Sequence, residues 1–292
     1  MLAPPHPNPL LTDPGPLPAL ERLRGRTVVV KFGGHAMTHE HLLRSFAEDV
    51  VRLRSTGVRT VVVHGGGPQI SAELDRLRVP ARFLGGRRVT TPETLDVVRT
   101  VLVGTVQREL VRLIDQYGPY AVGLTGEDGR LLTAVRRYAE ADGRLLDIGL
   151  VGDVAEVDTA AVEVLLERDR VPVVSPLGRG TDGQVYNVNA DAAAGAIAAA
   201  LGAEALVVLT DVPGLYADWP RRERVLHRLT AAELEAALPS LGGGMAPKME
   251  SCLHAVRAGV RAARVLDGRV PHAVLRALAG GPGGAGTTVL PD

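Results

Sequence analysis

Short apolar runs recur along the chain, each closed by glycine, proline or a polar residue and followed by a stretch with apolar side chains every three or four positions. The runs lie at 27–32, 60–64, 120–125, 171–175 and 206–210. They are rich in valine and leucine without alternation, the pattern of strands buried on both faces. The intervening segments 40–56, 68–78, 92–117, 159–170, 190–201 and 246–259 keep the helical period. Several carry start signals, such as Thr91 before Pro92 and Asp158–Thr159 before an Ala/Val/Leu run. This alternation predicts an α/β fold, a three-layer αβα sandwich around a central, mostly parallel open sheet.

Two departures from that rhythm are informative. Residues 130–152 alternate around Asp142–Gly143, which predicts a β-hairpin set among the crossover units. Residues 178–183 and 218–223 read as loops, and the glycines of 280–286 as a flexible connection to a short last strand at 287–290. No repeat of fixed period is present. The expected division is a Pro-rich arm over 1–18, an N-terminal lobe over 19–178 and a C-terminal lobe over 179–292. The lobes share one continuous sheet.

The chain has 292 residues with zero formal net charge, so no electrostatic footprint for nucleic acid or an anionic membrane is expected. No apolar run reaches the ~18 residues of a membrane span, and the proline-rich start lacks the regions of a signal peptide. The single cysteine, Cys252, allows no internal disulfide and suits a reducing cytoplasm. Cys252 is read as a small buried hydrophobe. His35, His39 and His41 crowd together without a metal-ligand spacing, so no metal site is assigned.

Of 33 basic side chains only Lys31 and Lys248 are lysines. A guanidinium is a wide planar fork and an ammonium a compact point charge, so a crowded phosphoryl site would refuse the exchange. Both lysines stand beside glycines. Lys31 precedes Gly33 and Gly34 at the end of a predicted strand, where backbone N–H groups can approach an anion closely. The next strand repeats the device with His64-Gly65-Gly66-Gly67. Lys248 closes Gly242-Gly243-Gly244-Met245-Ala246-Pro247, which lacks the spacing and the Ser/Thr of a P-loop but places the lysine in the first turn of a helix.

Asn187-Val188-Asn189-Ala190-Asp191 holds two of only three asparagines. In an extended backbone both would point to one side. Asp191 stands at a predicted helix start, where it either caps the helix or orients the two lysines. Gly86-Arg87-Arg88-Val89-Thr90 offers a guanidinium that could clamp a carboxylate, with Arg88 the candidate and Arg87 assigned to the surface. Thr210-Asp211-Val212-Pro213-Gly214-Leu215-Tyr216 is a strand running into a Gly/Pro loop suited to a base and ribose.

These six segments, which follow the family's order along the chain from about residue 19 to the end, resemble the amino-acid kinase family, and within it the branch acting on N-acetyl-L-glutamate. The resemblance implies the fold of that family and ATP-dependent phosphorylation of the side-chain carboxylate, giving an acyl phosphate in arginine biosynthesis. It implies that Lys31 and Lys248 stabilise the transferring phosphoryl group while Asp191 organises them. Gly33, Gly34, Gly65 and Gly66 would cradle phosphate and substrate. Arg88, Asn187 and Asn189 would hold the acyl substrate. Thr210, Asp211, Val212, Gly214, Leu215, Tyr216, Gly243, Gly244 and Met245 would lie along ATP. Mg²⁺ would be held chiefly by the ATP phosphates.

The resemblance also implies that the N-terminal lobe binds the acyl substrate and dimerises, that the C-terminal lobe binds ATP, and that the protein is a homodimer at least. A segment at 17–24 resembles the helix through which arginine-inhibited relatives build hexamers, but the family's tyrosine there is Ala19. Arg264 and Ala277 stand where a histidine and a glutamate touch arginine in sensitive relatives, so arginine control and a hexamer stay open, as does a nitrogen-status signalling partner. The rival readings are a kinase for aminoadipate or its carrier-bound form in lysine synthesis, and a non-catalytic ATP or arginine sensor.

Overall fold

The computed structural model describes residues 20–141, 143–218, 221–280 and 285–292. The expected proline-rich arm lies outside the described residues. In chain order the strands are β1 (Thr27–Phe32), β2 (Arg59–His64), β3 (Phe83–Leu84), β4 (Arg87–Arg88), β5 (Ala121–Thr125), β6 (Leu132–Ala141), β7 (Arg144–Val157), β8 (Val171–Ser175), β9 (Leu177–Gly180), β10 (Val185–Val188), β11 (Ala205–Thr210), β12 (Arg228–Thr230), β13 (Ala262–Asp267) and β14 (Thr287–Leu290). The helices are α1 (Glu40–Ser55), α2 (Gly67–Arg76), α3 (Pro92–Arg99), α4 (Arg108–Asp115), α5 (Ala160–Glu167), α6 (Ala190–Ala200), α7 (Ala231–Ala237), α8 (Met245–Arg257) and α9 (Ala273–Ala279). A π-helical segment (Thr100–Gln107) joins α3 to α4 without a break.

Eight strands form one sheet in the order β12-β14-β13-β11-β1-β2-β8-β5. All pairs are parallel except β13–β14. β1 lies inside the sheet, flanked by β2 and β11. Strand alternation then divides its side chains between two cores. Val28, Val30 and Phe32 join the core under α1, where the Phe32 and Phe46 rings stack with centroids 4.0 Å apart. Val29 joins the opposite core with Ala193, Ala194 and Ile197 of α6 and Met249 and Cys252 of α8. By the same period Lys31 belongs to the α6/α8 face, and Phe32 with its register partner His64 to the other.

The expected hairpin forms, and β7 continues five residues past its predicted end to pair with β10. With β9 these strands close a small barrel. The loop expected at 178–183 is therefore partly strand. Its glycines serve close packing rather than a turn: a Cβ at Gly178 would sit 2.9 Å from that of Ala134. Gly149, at φ 77°, lets β7 bulge against Thr90, whose N–H and C=O bond Ile148 and Leu150. That contact fixes the segment carrying Arg88.

Two tertiary contacts set the ends of the central elements. Gly195 of α6 lets α8 approach so closely that a Cβ there would lie 2.9 Å from the Ser251 carbonyl oxygen. His272, at the start of α9, donates its N–H to Ser45 Oγ (2.7 Å) and holds Nδ1 2.7 Å from the buried Asp49 Oδ1. Its hydrogen bond to Asp49 raises the imidazole pKa. The Asp49 carboxyl is itself raised by burial, against the opposing pull of His272.

Gly195→Ala would favour an isolated helix by ~1 kcal/mol, yet here the added methyl must displace backbone. The variant is expected to lose about 1–2 kcal/mol on urea denaturation. The His272 tie stabilises through a raised pKa. Its contribution is fully present below the unfolded value of 6.5 and fades as pH rises through the folded one. The melting-temperature gap between the parent and His272→Ala is therefore expected to be largest below pH 6.5 and to narrow at higher pH.

Candidate active site

The carboxyl ends of β1 and β2, the start of α6 and the first turn of α8 meet on one side of the sheet. Lys31 is the fifth residue of β1 and turns to the α6/α8 face. Asp191 is the second residue of α6, and Asn189 caps that helix by accepting from the Asp191 and Ala192 N–H groups at 2.8 and 3.1 Å. Lys248 reaches across from α8. The two ammonium groups converge on one carboxylate, Lys31 Nζ 2.9 Å from Oδ1 and Lys248 Nζ 3.3 Å from Oδ2. Lys248 also donates to the Gly244 carbonyl oxygen at 3.1 Å. Lys31 and Asp191 are 6% and 4% exposed, so this charge cluster is screened little by water.

Burial alone would raise the Asp191 pKa, but Lys31 and Lys248 outweigh it and hold the carboxyl below its ordinary value. Asp191 is thus an anion between two cations, and one positive charge is left over. Oδ1 meets Lys31 as an ion pair without accepting a well-aligned hydrogen bond. Gly33 leaves room for Lys31 itself. The ammonium lies over its Cα, where a Cβ would come within 2.8 Å of Nζ.

The two glycine turns are used differently. The Gly65 N–H, expected to help cradle substrate and phosphate, donates instead to the Phe32 carbonyl oxygen at 2.8 Å. Gly66 is the residue before α2, so the backbone donors at this helix start belong to Gly66, Gly67 and Gln69, Pro68 having none. Gly34 opens a 3₁₀ turn at φ 75°.

Arg88 is 8% exposed. Its Nη2 donates to Ser71 Oγ (2.8 Å) and lies 3.3 Å from the Gly67 carbonyl oxygen, while Nη1 is buried without a partner. A buried, unpaired guanidinium N–H calls for an acceptor that the protein does not supply. Asn187 donates to Thr90 Oγ1 at 3.3 Å, beside Arg88. Asn189, expected to face the same way, does not share that neighbourhood. The strand ends at Val188, and Asn189 turns to cap α6 and to line a separate cleft with Arg87 and Glu250.

Beside Lys248 opens a cavity of about 480 Å³, lined by Thr210, Asp211, Val212, Leu215, Tyr216, Gly243, Gly244 and Met245. Gly214 lies behind its wall, where a Cβ would meet Thr287 Oγ1 at 2.6 Å. Sequence reasoning missed Arg222, Leu241 and Gly242, which also line the cavity. Gly242 adjoins the glycine motif and was within reach; Arg222 and Leu241 come from outside any motif. Cys252 is wholly buried, and burial pushes its thiol pKa up, away from nucleophile character.

The family described as "Amino acid kinase family" matches residues 26–267. An acetylglutamate kinase of Streptomyces avermitilis is 59% identical over 277 residues, 94% of this chain and 91% of the relative. One of Acidothermus cellulolyticus is 60% identical over 279 residues, 94% of each. Among solved structures, N-acetylglutamate synthase from Neisseria gonorrhoeae superposes with a TM-score of 0.81 at 24% identity, covering 95% of this chain and 62% of that one. Carbamate kinase from Giardia lamblia bound to AMP-PNP gives 0.67 at 17%, covering 92% and 99%. These two structures speak for the fold alone. The full-length relatives and the breadth of the family match place the chain in the amino acid kinase family.

Proposed function

We propose that the chain transfers the γ-phosphoryl group of ATP to the side-chain carboxylate of N-acetyl-L-glutamate, a step of arginine biosynthesis. The observation that carries this reading is the convergence of the chain's only two lysines on Asp191, at the mouth of a cavity of nucleotide size. The acetylglutamate kinases at about 59% identity support the substrate. Neither the aminoadipate kinase nor the sensor gains support from these relatives.

The chemistry asks little proton transfer of the protein. A carboxylate is already ionised at neutral pH, so it attacks the γ-phosphorus directly, and the bond from that phosphorus to the bridging oxygen breaks to release ADP. The obstacle is repulsion between two anions, which fixed positive charge and backbone N–H groups relieve. Lys31 and Lys248 supply the charge, and Asp191 keeps both ammonium groups aimed at one point. The Gly66 and Gly67 amides and the unpaired Arg88 Nη1 would receive the anionic ends of the acyl substrate, with Asn187 beside them. The residues along the 480 Å³ cavity, Gly214 behind them, would hold the nucleotide. No group of three His, Cys, Asp or Glu suited to a metal stands among the described residues, and magnesium would be carried by the nucleotide phosphates. Bound there, it would add to the neutralising charge.

This reading keeps the division near residue 178, with acyl substrate on the N-terminal side and nucleotide on the other. It treats the protein as a cytoplasmic enzyme, at least a homodimer. No helix among the described residues is long and apolar enough to cross a membrane.

In a coupled ADP-release assay, acetylglutamate is expected to turn over well ahead of glutamate and aminoadipate; a preference for aminoadipate would overturn the substrate assignment. Lys31→Arg and Lys248→Arg are each expected to lower kcat by ~10²-fold or more, as for loss of a charge-stabilising donor. A guanidinium is a wide planar fork that cannot reproduce the compact point charge of the ammonium over Gly33. Near-native turnover in both variants would remove the two-lysine mechanism.

A further inference from the structure

His64 ends β2 immediately before the glycine turn and is wholly buried. Nothing in the proposed chemistry uses it. Its ring is nevertheless held at both nitrogens. Nδ1 lies 2.9 Å from the Gly65 carbonyl oxygen, an acceptor only, so Nδ1 carries the proton and donates. Nε2 is then the acceptor, receiving the Ser175 hydroxyl at 2.8 Å. Ser175 Oγ in turn accepts from Gln107 Nε2 at 3.0 Å. Gln107 also reaches the carbonyl oxygens of Leu124 (2.6 Å) and Val173 (3.1 Å), which anchors the relay to β5 and β8. Burial lowers the imidazole pKa to about 4, so a neutral ring in a single tautomer persists at physiological pH.

The consequence lies in the next peptide unit. The Gly65 carbonyl and the Gly66 N–H belong to one planar trans peptide and point in opposite directions. The Gly65 N–H is tied to the Phe32 carbonyl oxygen and the Gly65 C=O to His64, so the turn is fixed on both sides of that residue. With its carbonyl drawn toward His64, in the core on the α1 side of the sheet, this peptide presents the Gly66 N–H away from that core.

We propose that His64 is a positioning residue for phosphoryl transfer: by holding the Gly65 carbonyl, it aims the Gly66 N–H at the anion bound between the glycine turns. The proposal rests on the kinase reading above and assigns no contact between His64 and substrate. It explains why a fully buried imidazole with a polar relay behind it sits beside a glycine turn, where an apolar side chain would cost less to bury.

The test compares full-length variants that keep or lose the Nδ1 donor. The amide nitrogen of His64→Asn can occupy the Nδ1 position and donate to Gly65, whereas the amide of His64→Gln falls at the Nε2 position and His64→Leu has no donor. kcat with acetylglutamate is expected to drop ~10- to 100-fold in the Gln and Leu variants, as for a misplaced donor, with the KM for ATP little changed. His64→Asn should recover most of that loss. Ser175→Ala, which frees the tautomer without emptying the core, should lose activity in the same direction by a smaller factor, and it stands in if a His64 variant fails to fold. In ¹⁵N-labelled protein the Gly66 amide resonance is expected to move on adding acetylglutamate with AMP-PNP in the parent and in His64→Asn, but not in His64→Gln. Parent-like kcat in folded His64→Leu, or an Asn variant no better than Leu at equal melting temperature, would overturn the proposal. A parent inactive on acetylglutamate but active on another carboxylate would overturn only the substrate reading. In that case the same variants, assayed on that carboxylate, decide the role of His64.

Discussion

Asp191 is charged where burial opposes charge, and the two ammonium groups on either side of it are what hold it so. A buried ion cluster of this kind is a poor investment in stability, because desolvating three charges consumes most of their attraction. Its value lies in geometry. Two cations that would otherwise repel are kept within reach of the same point, and one uncancelled positive charge faces a region of low dielectric. Much of the architecture serves that cluster. β1 sits inside the sheet and turns Lys31 toward α6, Asn189 fixes the start of α6 on which Asp191 stands, and Gly195 lets α8 close to the distance at which Lys248 can reach.

What was legible in the chain follows from how local the signal is. The limits of β1, β8 and β14 match the apolar runs to the residue, because Thr27–Phe32, Val171–Ser175 and Thr287–Leu290 are bounded by residues that leave a strand unambiguously. The lysines, Asp191 and most of the cavity lining were marked by composition and by glycine motifs. β13 was not recognised, since Ala262–Asp267 carries Arg264 in its middle; that guanidinium is half-buried and donates to the Ala277 carbonyl oxygen, a partner no local pattern announces. The barrel strand β9 was hidden by its glycines, which resemble a loop until the neighbouring Ala134 is known. Asn189 was read with Asn187 because alternation holds only while the strand lasts, and the strand stops one residue too soon.

The glycines next to the site show the same limit from another direction. Gly33, Gly65 and Gly66 look interchangeable in sequence. In the fold, the first makes room for a lysine head, the second is tied through both its N–H and its C=O, and the third stands before a helix start, where an added Cβ would lie 2.7 Å from Leu102 Cδ2. Which amide remains for a ligand is decided by tertiary partners, here Phe32 and His64, and not by the motif.

The scarcity of lysine has a chemical corollary. On the proposed reaction the product is a mixed anhydride of a carboxylic and a phosphoric acid, a reagent that acylates free amines. The chain's only side-chain amines are Lys31 and Lys248, each ion-paired to Asp191 and shielded by the fold, while every other cationic position is an arginine, whose guanidinium is a far weaker nucleophile. The outer surface therefore presents its own product with almost nothing to modify, and the two amines that meet it at closest range are held in the paired state that resists acylation.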